Sequence, residues 1–269
     1  MYSLAKQVGV KTLQVLNWVF FMVMVTVNYL ANALPINGKT TGELSKQYPN
    51  LFVPAPVTFS IWGVIYSLLL VFCVYQSRGL FSKTPHATTN AIVDNIGFGF
   101  IGTCVFNILW IGVWHYEYLF LSIIIMALFL AQLIDLNRRL SYLGKSKVIV
   151  PVAVRAAFGS YLGWICVAII ANITAALVFF GWNGFGQSQI FWTCLMIVVG
   201  GGIVSYTLTK FNNAFIGVSV VWAFIGIIIA RTQATEYQRF IVWVAVGGIV
   251  VVMVSLLLAF VKSTQKMES

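Results

Sequence analysis

The sequence predicts an all-α integral membrane protein of about eight transmembrane helices, and three observations lead there. Apolar stretches long enough to cross a bilayer fill most of the chain, charged residues are too few to cover a soluble surface, and basic residues segregate by side. A spanning helix needs about 20 mainly apolar residues, because the hydrocarbon core is roughly 30 Å thick and a helix rises about 1.5 Å per residue. Such stretches lie at 11–34, 56–77, 93–114, 117–137, 152–180, 189–209, 212–231 and 238–261. Hydrophobic residues make up 60% of the chain and charged ones 8%, against about 25% charged in an ordinary soluble domain. The polar breaks are short, so no sizeable soluble domain fits between the spans.

The third observation sets orientation. With the N-terminus inside, the inner segments carry Lys6, Lys11, Arg78, Lys83, Arg138, Arg139, Lys145, Lys147, Arg155, Lys210, Lys262 and Lys266. The outer segments carry Lys39, Lys46, Arg231 and Arg239. Lys and Arg accumulate on the cytoplasmic side of membrane proteins, so both termini are expected in the cytoplasm, with the cell membrane as location. The same asymmetry accounts for the net charge of +10 without nucleic acid, and no soluble surface remains to hold a duplex.

Taken in order, the first span carries Asn17, Asn28 and Asn32. It is too long and too polar for a cleaved signal sequence and reads as a retained helix. The connection 35–55 then brings Asn37-Gly38 and the prolines Pro35, Pro49 and Pro54, which forbid a continuing helix. Leu51, Phe52 and Val53 lie between prolines, so this half is expected to pack on the bundle as a lid. The inner loop 78–92 holds Pro85, His86, Thr88 and Thr89 and reads as solvated, and the loop 138–150 as a basic cluster beside anionic headgroups. His115 and Glu117 sit at an outer turn, and residues 181–186 form another around Trp182. Gly200, Gly201, Gly202, Gly217, Gly226, Gly247 and Gly248 in the last three spans permit close packing on the bundle or on a second copy of the chain. Cys73, Cys104, Cys166 and Cys194 fall in spans and form no CxxC or Cys/His cluster, so neither a disulfide nor a metal site is expected.

The tryptophans divide by depth. Trp18, Trp114, Trp182, Trp192 and Trp243 suit the interfacial belt. Trp62, Trp110 and Trp164 instead stand on stripes at helical spacing: Phe59, Trp62 and Tyr66 in span two, Asn107, Trp110 and Trp114 in span three, and Tyr161, Trp164, Ala168 and Asn172 in span five. Facing one another, these stripes would line a cavity with flat apolar walls and a few amide and phenol groups, suited to a planar hydrophobic ligand. The same spacing also serves plain packing.

These residues carry a resemblance. Pro54-Ala55-Pro56 followed by Phe59-Ser60-Ile61-Trp62-Gly63-Val64-Ile65-Tyr66, then Phe106-Asn107-Ile108-Leu109-Trp110, then Tyr161-Leu162-Gly163-Trp164 with Ala168 and Asn172, resemble the tryptophan-rich sensory protein/translocator protein family (the peripheral benzodiazepine receptor family). Ser160 stands where that family has a proline, Val167 where it has Phe, and Phe52 is the aromatic nearest its loop Trp. The likeness covers about 11–183, which divides the chain into a five-helix bundle (1–183) and a three-helix extension (184–269) with a short cytoplasmic tail. It implies a receptor-like membrane protein binding a tetrapyrrole such as haem or protoporphyrin, or a sterol-like ligand. The cavity residues would be Phe59, Trp62 and Tyr66 as walls, Trp110 and Trp164 stacking, and Asn107, Tyr161 and Asn172 as polar anchors, beneath the 35–55 loop.

Other classes find less support. No acidic pair lies at mid-depth, as a proton- or sodium-coupled pump requires, and span seven has no lysine for a retinal Schiff base. HExxH, GxSxG and Ser/His/Asp sets are absent and the histidines are His86 and His115, so no enzyme is expected. No cofactor is required by this reading; a bound tetrapyrrole, membrane lipid and a hydrophobic small molecule are the expected partners. Two alternatives stand beside the receptor: a passive or exchange-type carrier of a lipidic solute, and a structural subunit of a membrane complex.

Overall fold

A computed structural model of the protein describes residues 9–34, 36–80, 86–146, 148–234 and 238–268, with side chains to Ala259. Lys6, Pro35, Lys83, Pro85 and Lys147, and the side chains of Lys262 and Lys266, lie outside the described residues. The described chain is helical throughout: α1 (Val10–Ala33), α2 (Thr41–Lys46), α3 (Ile61–Gln76), α4 (Ala87–Ile96), α5 (Gly99–His115), α6 (Leu119–Lys145), α7 (Val152–Phe179), α8 (Gln189–Phe211), α9 (Phe215–Thr232) and α10 (Arg239–Glu268). A 3-10 turn (Pro56–Ser60) leads directly into α3. Seven segments are long and apolar enough to cross a membrane, and α4 with α5, bent by 47°, make an eighth.

That bend corrects the single third span. Gly97 takes φ +52° and ψ −132°, a conformation in which any Cβ would clash, so glycine turns the chain where an apolar run alone suggests continuity. The fourth span differs at its other end. α6 runs two turns past the expected 137, because Asp135 pairs with Arg138 and Arg139 across one helical turn. Arg138, Arg139 and Lys145 therefore ride on a helix, and the basic loop is shorter than the sequence suggests. The expected boundary at 183/184 falls in the turn Gly184–Gly186, before α8.

α7 is the hub, packing against α3, α6, α8 and α9. It is apolar on every side, as a helix enclosed by others must be, and Ala157, Phe158, Tyr161, Leu162 and Ile165 have no exposed surface. At Gly163 the helices touch backbone to backbone: a Cβ there would sit 2.1 Å from the Ile216 carbonyl oxygen of α9. The N-terminal part of α1 and the C-terminal end of α3 are joined by a buried amide knot. Gln14 Nε2 donates to the Gln76 carbonyl at 2.7 Å, and Asn17 Nδ2 to Gln76 Oε1 at 2.7 Å. A second knot ties α6, α7 and the α8–α9 turn, where Asn213 Nδ2 donates to Asn137 Oδ1 at 3.1 Å and to the Arg155 carbonyl at 2.9 Å. Amides are costly in an apolar interior unless paired, so each knot fixes which helices are neighbours.

The C-terminal glycines meet mainly the chain's own side chains. Gly217 faces Leu208 and Val252, and Gly248 faces Phe224, whereas Gly202 and Gly247 have open space beside them. Gly226 lies against the 3-10 turn before α3, where a Cβ would stand 2.0 Å from Thr58 Oγ1. Beside it the Gly226 carbonyl accepts from Ala55 N at 2.9 Å, and Trp222 Nε1 donates to the Thr58 carbonyl at 2.8 Å. α9 is thereby bolted to the segment that introduces the Phe59–Tyr66 stripe.

Candidate ligand site beneath the outer loop

The 40–56 segment is an ordered roof. Thr40 caps α2 in a reciprocal box with Glu43: the Glu43 amide donates to Thr40 Oγ1, and Thr40 N donates to Glu43 Oε2 at 2.7 Å. Those bonds hold the Glu43 carboxyl below its ordinary pKa, the Thr40 backbone bond contributing most. Asn50 Oδ1 accepts from the amides of Phe52 and Val53, both at 3.1 Å, folding the chain inward. Tyr48 and Phe52 are consequently buried. The roof is tied down at the α5–α6 turn, where Glu117 takes φ +60°. Glu117 accepts from Tyr48 OH at 2.6 Å and from Lys39 Nζ at 3.0 Å. These two bonds, that of Tyr48 first, lower the Glu117 pKa; desolvation, and then the same carboxylate, raise that of Tyr48.

His115 is part of this fastening and is fully buried, not interfacial as its position in sequence suggests. Its Nε2 lies 2.9 Å from Thr41 Oγ1 and its Nδ1 3.2 Å from the Ile36 carbonyl. Trp114 is likewise drawn from the expected belt into the interior, 5% exposed, stacked on Trp110 at 5.8 Å and edge-on to Tyr48 at 6.1 Å.

Beneath the roof is a cavity of about 1100 Å³, bounded by α1 (Val25, Asn28, Tyr29, Asn32), α3 with its 3-10 lead (Phe59, Trp62, Gly63, Tyr66), α5 (Trp110, Ile111) and the end of α9 (Ala230, Arg231, Gln233). The eight residues expected at the site all gather in this region, but in two layers. Phe59, Trp62, Tyr66 and Trp110 line the cavity. Trp62 and Tyr66 stack at 5.5 Å with planes 26° apart. The other four stand behind that wall. Trp164 is edge-on to Trp62 and to Phe59, and Tyr161 is edge-on to Trp62, each at 6.0 Å. Asn107 Nδ2 donates to Tyr161 OH at 3.0 Å and its Oδ1 accepts from Asn28 Nδ2 at 2.5 Å. Asn172 accepts from Trp110 Nε1 at 3.1 Å and donates to Ser122 Oγ at 2.8 Å. Asn107, Tyr161 and Asn172 thus spend hydrogen bonds on joining α7 to α5 and on reaching α1 and α6, and Trp164 braces the Trp62 plane.

The Tyr66 hydroxyl is different: it is buried near the Asn107 side chain, with no partner at good hydrogen-bond geometry, where such groups are normally satisfied. Sequence reasoning missed Arg231, Trp222 and the Tyr48–Glu117 fastening. Arg231 had a signal, being a charge at the end of an apolar span; a pair 69 residues apart had none.

The donor set suits a flat ring held by stacking. Haem iron takes a His, Cys, Met or Tyr ligand, and among the described cavity-lining residues only tyrosines, Tyr29, Tyr48 and Tyr66, are of these types. Both nitrogens of His115 are already engaged.

Fold and cavity together define a polytopic α-helical membrane protein with a ligand-sized chamber beneath a fastened loop. The chain belongs to the TSPO-like protein family, whose family model matches residues 14–258, from α1 into α10. It is therefore a membrane protein of the sensor or transporter type. No curated protein and no solved structure matches it.

The roof gives a first prediction. Glu117→Gln should keep the fold, loosen the Tyr48 and Lys39 bonds, and speed ligand release by a few-fold, on the order of one weakened charge-assisted bond. Because the folded-state pKa is depressed, wild-type fastening is full above the ordinary carboxylate range and fades as pH falls through the lowered value. Stopped-flow dissociation across acid pH checks both; equal rates for the two proteins at neutral pH would reject the fastening.

Proposed function

We propose that the protein is a membrane receptor or sensor that binds a flat, mostly apolar ligand, of the porphyrin or sterol-like class, beneath its outer loop. The observation carrying this reading is the stacked Trp62–Tyr66 pair, facing a cavity of about 1100 Å³. That chamber is slightly larger than the usual ligand-site range of about 300–1,000 Å³. A planar apolar ring could lie on the pair. Below it, Ile65, Leu69, Phe72, Phe100 and Phe158 have no exposed surface, and Phe72 packs edge-on to Phe100 and Phe158 at 5.2 and 5.0 Å. A chamber closed on its inner side favours a receptor over a through-membrane carrier. The test is spectral titration of the purified protein with protoporphyrin IX and with a sterol analogue. Saturable binding of either supports the reading, and binding of neither removes it.

Exchange with the bilayer is the second reading, favoured by a smaller cavity of about 390 Å³ between α7 and α8. Asn50, Leu51 and Gln189 line both chambers, so the partition between them is a few side chains thick. Movement of Leu51 would let a lipidic solute pass sideways from the membrane.

The placement proposed is the cell membrane with both termini in the cytoplasm, resting on the basic asymmetry. Introduced cysteines in 40–55, near Gly184 and near Ala234 should react with an impermeant maleimide added to intact cells, and one at the C-terminus should not. Labelling at the C-terminus would overturn the orientation. A second copy of the chain could pack at Gly202 and Gly247, which have no neighbours within 4 Å.

A further inference from the structure

The last turn of α9 brings a cation to the cavity wall. Arg231 donates from Nη1 to Gln238 Oε1 at 3.3 Å, and its Nε is buried with no partner. None of the ion pairs Lys39–Glu117, Asp135–Arg138 and Asp135–Arg139 involves Arg231, and no carboxylate among the described residues pairs with it. Among the described residues on the cavity wall the one carboxylate is Glu43, whose Oε2 is already held by Thr40 N and Thr40 Oγ1 at 2.7 and 2.9 Å. Lys46 lines the same cavity, so the described wall residues carry two cations, Lys46 and Arg231, to one carboxylate. Helix polarity favours a cation in a last turn, which accounts for the charge but not for a buried, unpaired Nε turned from water. A guanidinium nitrogen in that position is normally satisfied, by protein or by something bound.

We infer that Arg231 receives an oxyanion, a carboxylate or phosphate, carried by the ligand whose apolar body lies on Trp62 and Tyr66. The planar fork of a guanidinium donates to two oxygens of one such group at once. Stacking on α3 and charge pairing on α9 together select an amphipathic, anionic ligand over a neutral one of the same shape. This assignment rests on the proposed ligand site and adds to it the ligand's charge. It also gives α9 a part in recognition, beyond supporting the 3-10 turn.

The test uses the full-length protein in phosphatidylcholine nanodiscs and two probes of matched shape, protoporphyrin IX, a dicarboxylic acid, and its neutral dimethyl ester. The wild type should bind the acid about 10-fold more tightly than the ester, the scale of one charge-assisted pair in a partly solvated site. Arg231→Gln should erase that preference by weakening the acid alone, and Arg231→Lys should restore part of it. All variants are compared at equal monodispersity, and the ester serves as internal control for an intact chamber. If the acid and the ester bind the wild type and Arg231→Gln alike, the oxyanion site is wrong while the ring site stands. If neither probe binds the wild type, the ring site falls and this assignment falls with it. A third arm repeats the titration in nanodiscs containing phosphatidylglycerol. Retention of the acid preference there supports an oxyanion belonging to the ligand. Its loss there means that lipid phosphate fills Arg231, which overturns the assignment to the ligand.

Discussion

Gly163→Ala should destabilise the protein by about 3 kcal/mol, the upper end for overpacking a close-packed interior. The new Cβ would stand 2.1 Å from the Ile216 carbonyl oxygen and 3.1 Å from Ser219 Cβ. The first of these is backbone, so no rotamer change relieves the clash and α7 and α9 must separate. Residues 156–165 of α7 are buried on every side, and any separation there propagates to α3 and α6, which pack on it. Gly112→Ala is the matched control, since nothing lies within 4 Å of its would-be Cβ and alanine favours a helix over glycine. The measurement is the thermal midpoint in detergent, read by size-exclusion of the fluorescent fusion. A Gly163→Ala midpoint equal to wild type would mean that the two helices are less tightly joined than their geometry requires.

The same contact shows why the last three helices matter to the site. Gly163 joins α9 to the hub, and Gly226, Ala55, Thr58 and Trp222 join it to the turn that launches Phe59 and Trp62. Loosening α9 would move the wall that α3 presents. The family match across residues 14–258 likewise embraces these helices together with the first five spans.

The spans were legible because bilayer thickness imposes a length, and length is written directly in the sequence. The α3 stripe was legible too: Phe59, Trp62 and Tyr66 recur at helical spacing, and all three line the cavity. Spacing does not say how a helix is rotated when every face is apolar. α7 is such a helix, which is why Tyr161 and Trp164 read as cavity residues but stand in the second layer. The break at Gly97 was hidden because the high mean hydropathy of the stretch outweighs Asp94, Asn95 and the glycines on either side of Phe98. Trp114 and His115 sit at the end of a span, where interfacial placement is the usual rule. They are buried because the roof folds down upon them, through Tyr48 for the first and Thr41 for the second. That burial comes from an Asn50 turn and a Glu117 fastening, both set by tertiary contact and neither marked by periodicity.

The division into two layers sharpens what tryptophan replacement should do. Trp62→Ala removes an indole that faces the cavity and stacks on Tyr66. Burial and stacking of one indole contribute on the order of 1–3 kcal/mol, so binding of protoporphyrin IX should weaken by about 5- to 150-fold, at about 1.4 kcal/mol per decade. Trp62→Phe keeps a flat ring and should lose less. Trp164→Ala removes no cavity wall; it takes away the edge that holds Trp62 and Phe59 in place. It should therefore lower thermal stability first, by about 3–5 kcal/mol as for other large buried aromatics, and reduce affinity only through a Trp62 left free to tilt. Trp243→Ala, at a site 66% exposed on α10, should change neither quantity. Porphyrin absorbance is the suitable readout, because intrinsic fluorescence changes whenever an indole is removed. The pair of measurements separates wall from brace: affinity falls with stability retained at 62, and stability falls first at 164. If Trp62→Ala binds as Trp243→Ala does, the stacked pair is interior packing that happens to border an open space, and the ligand lies elsewhere.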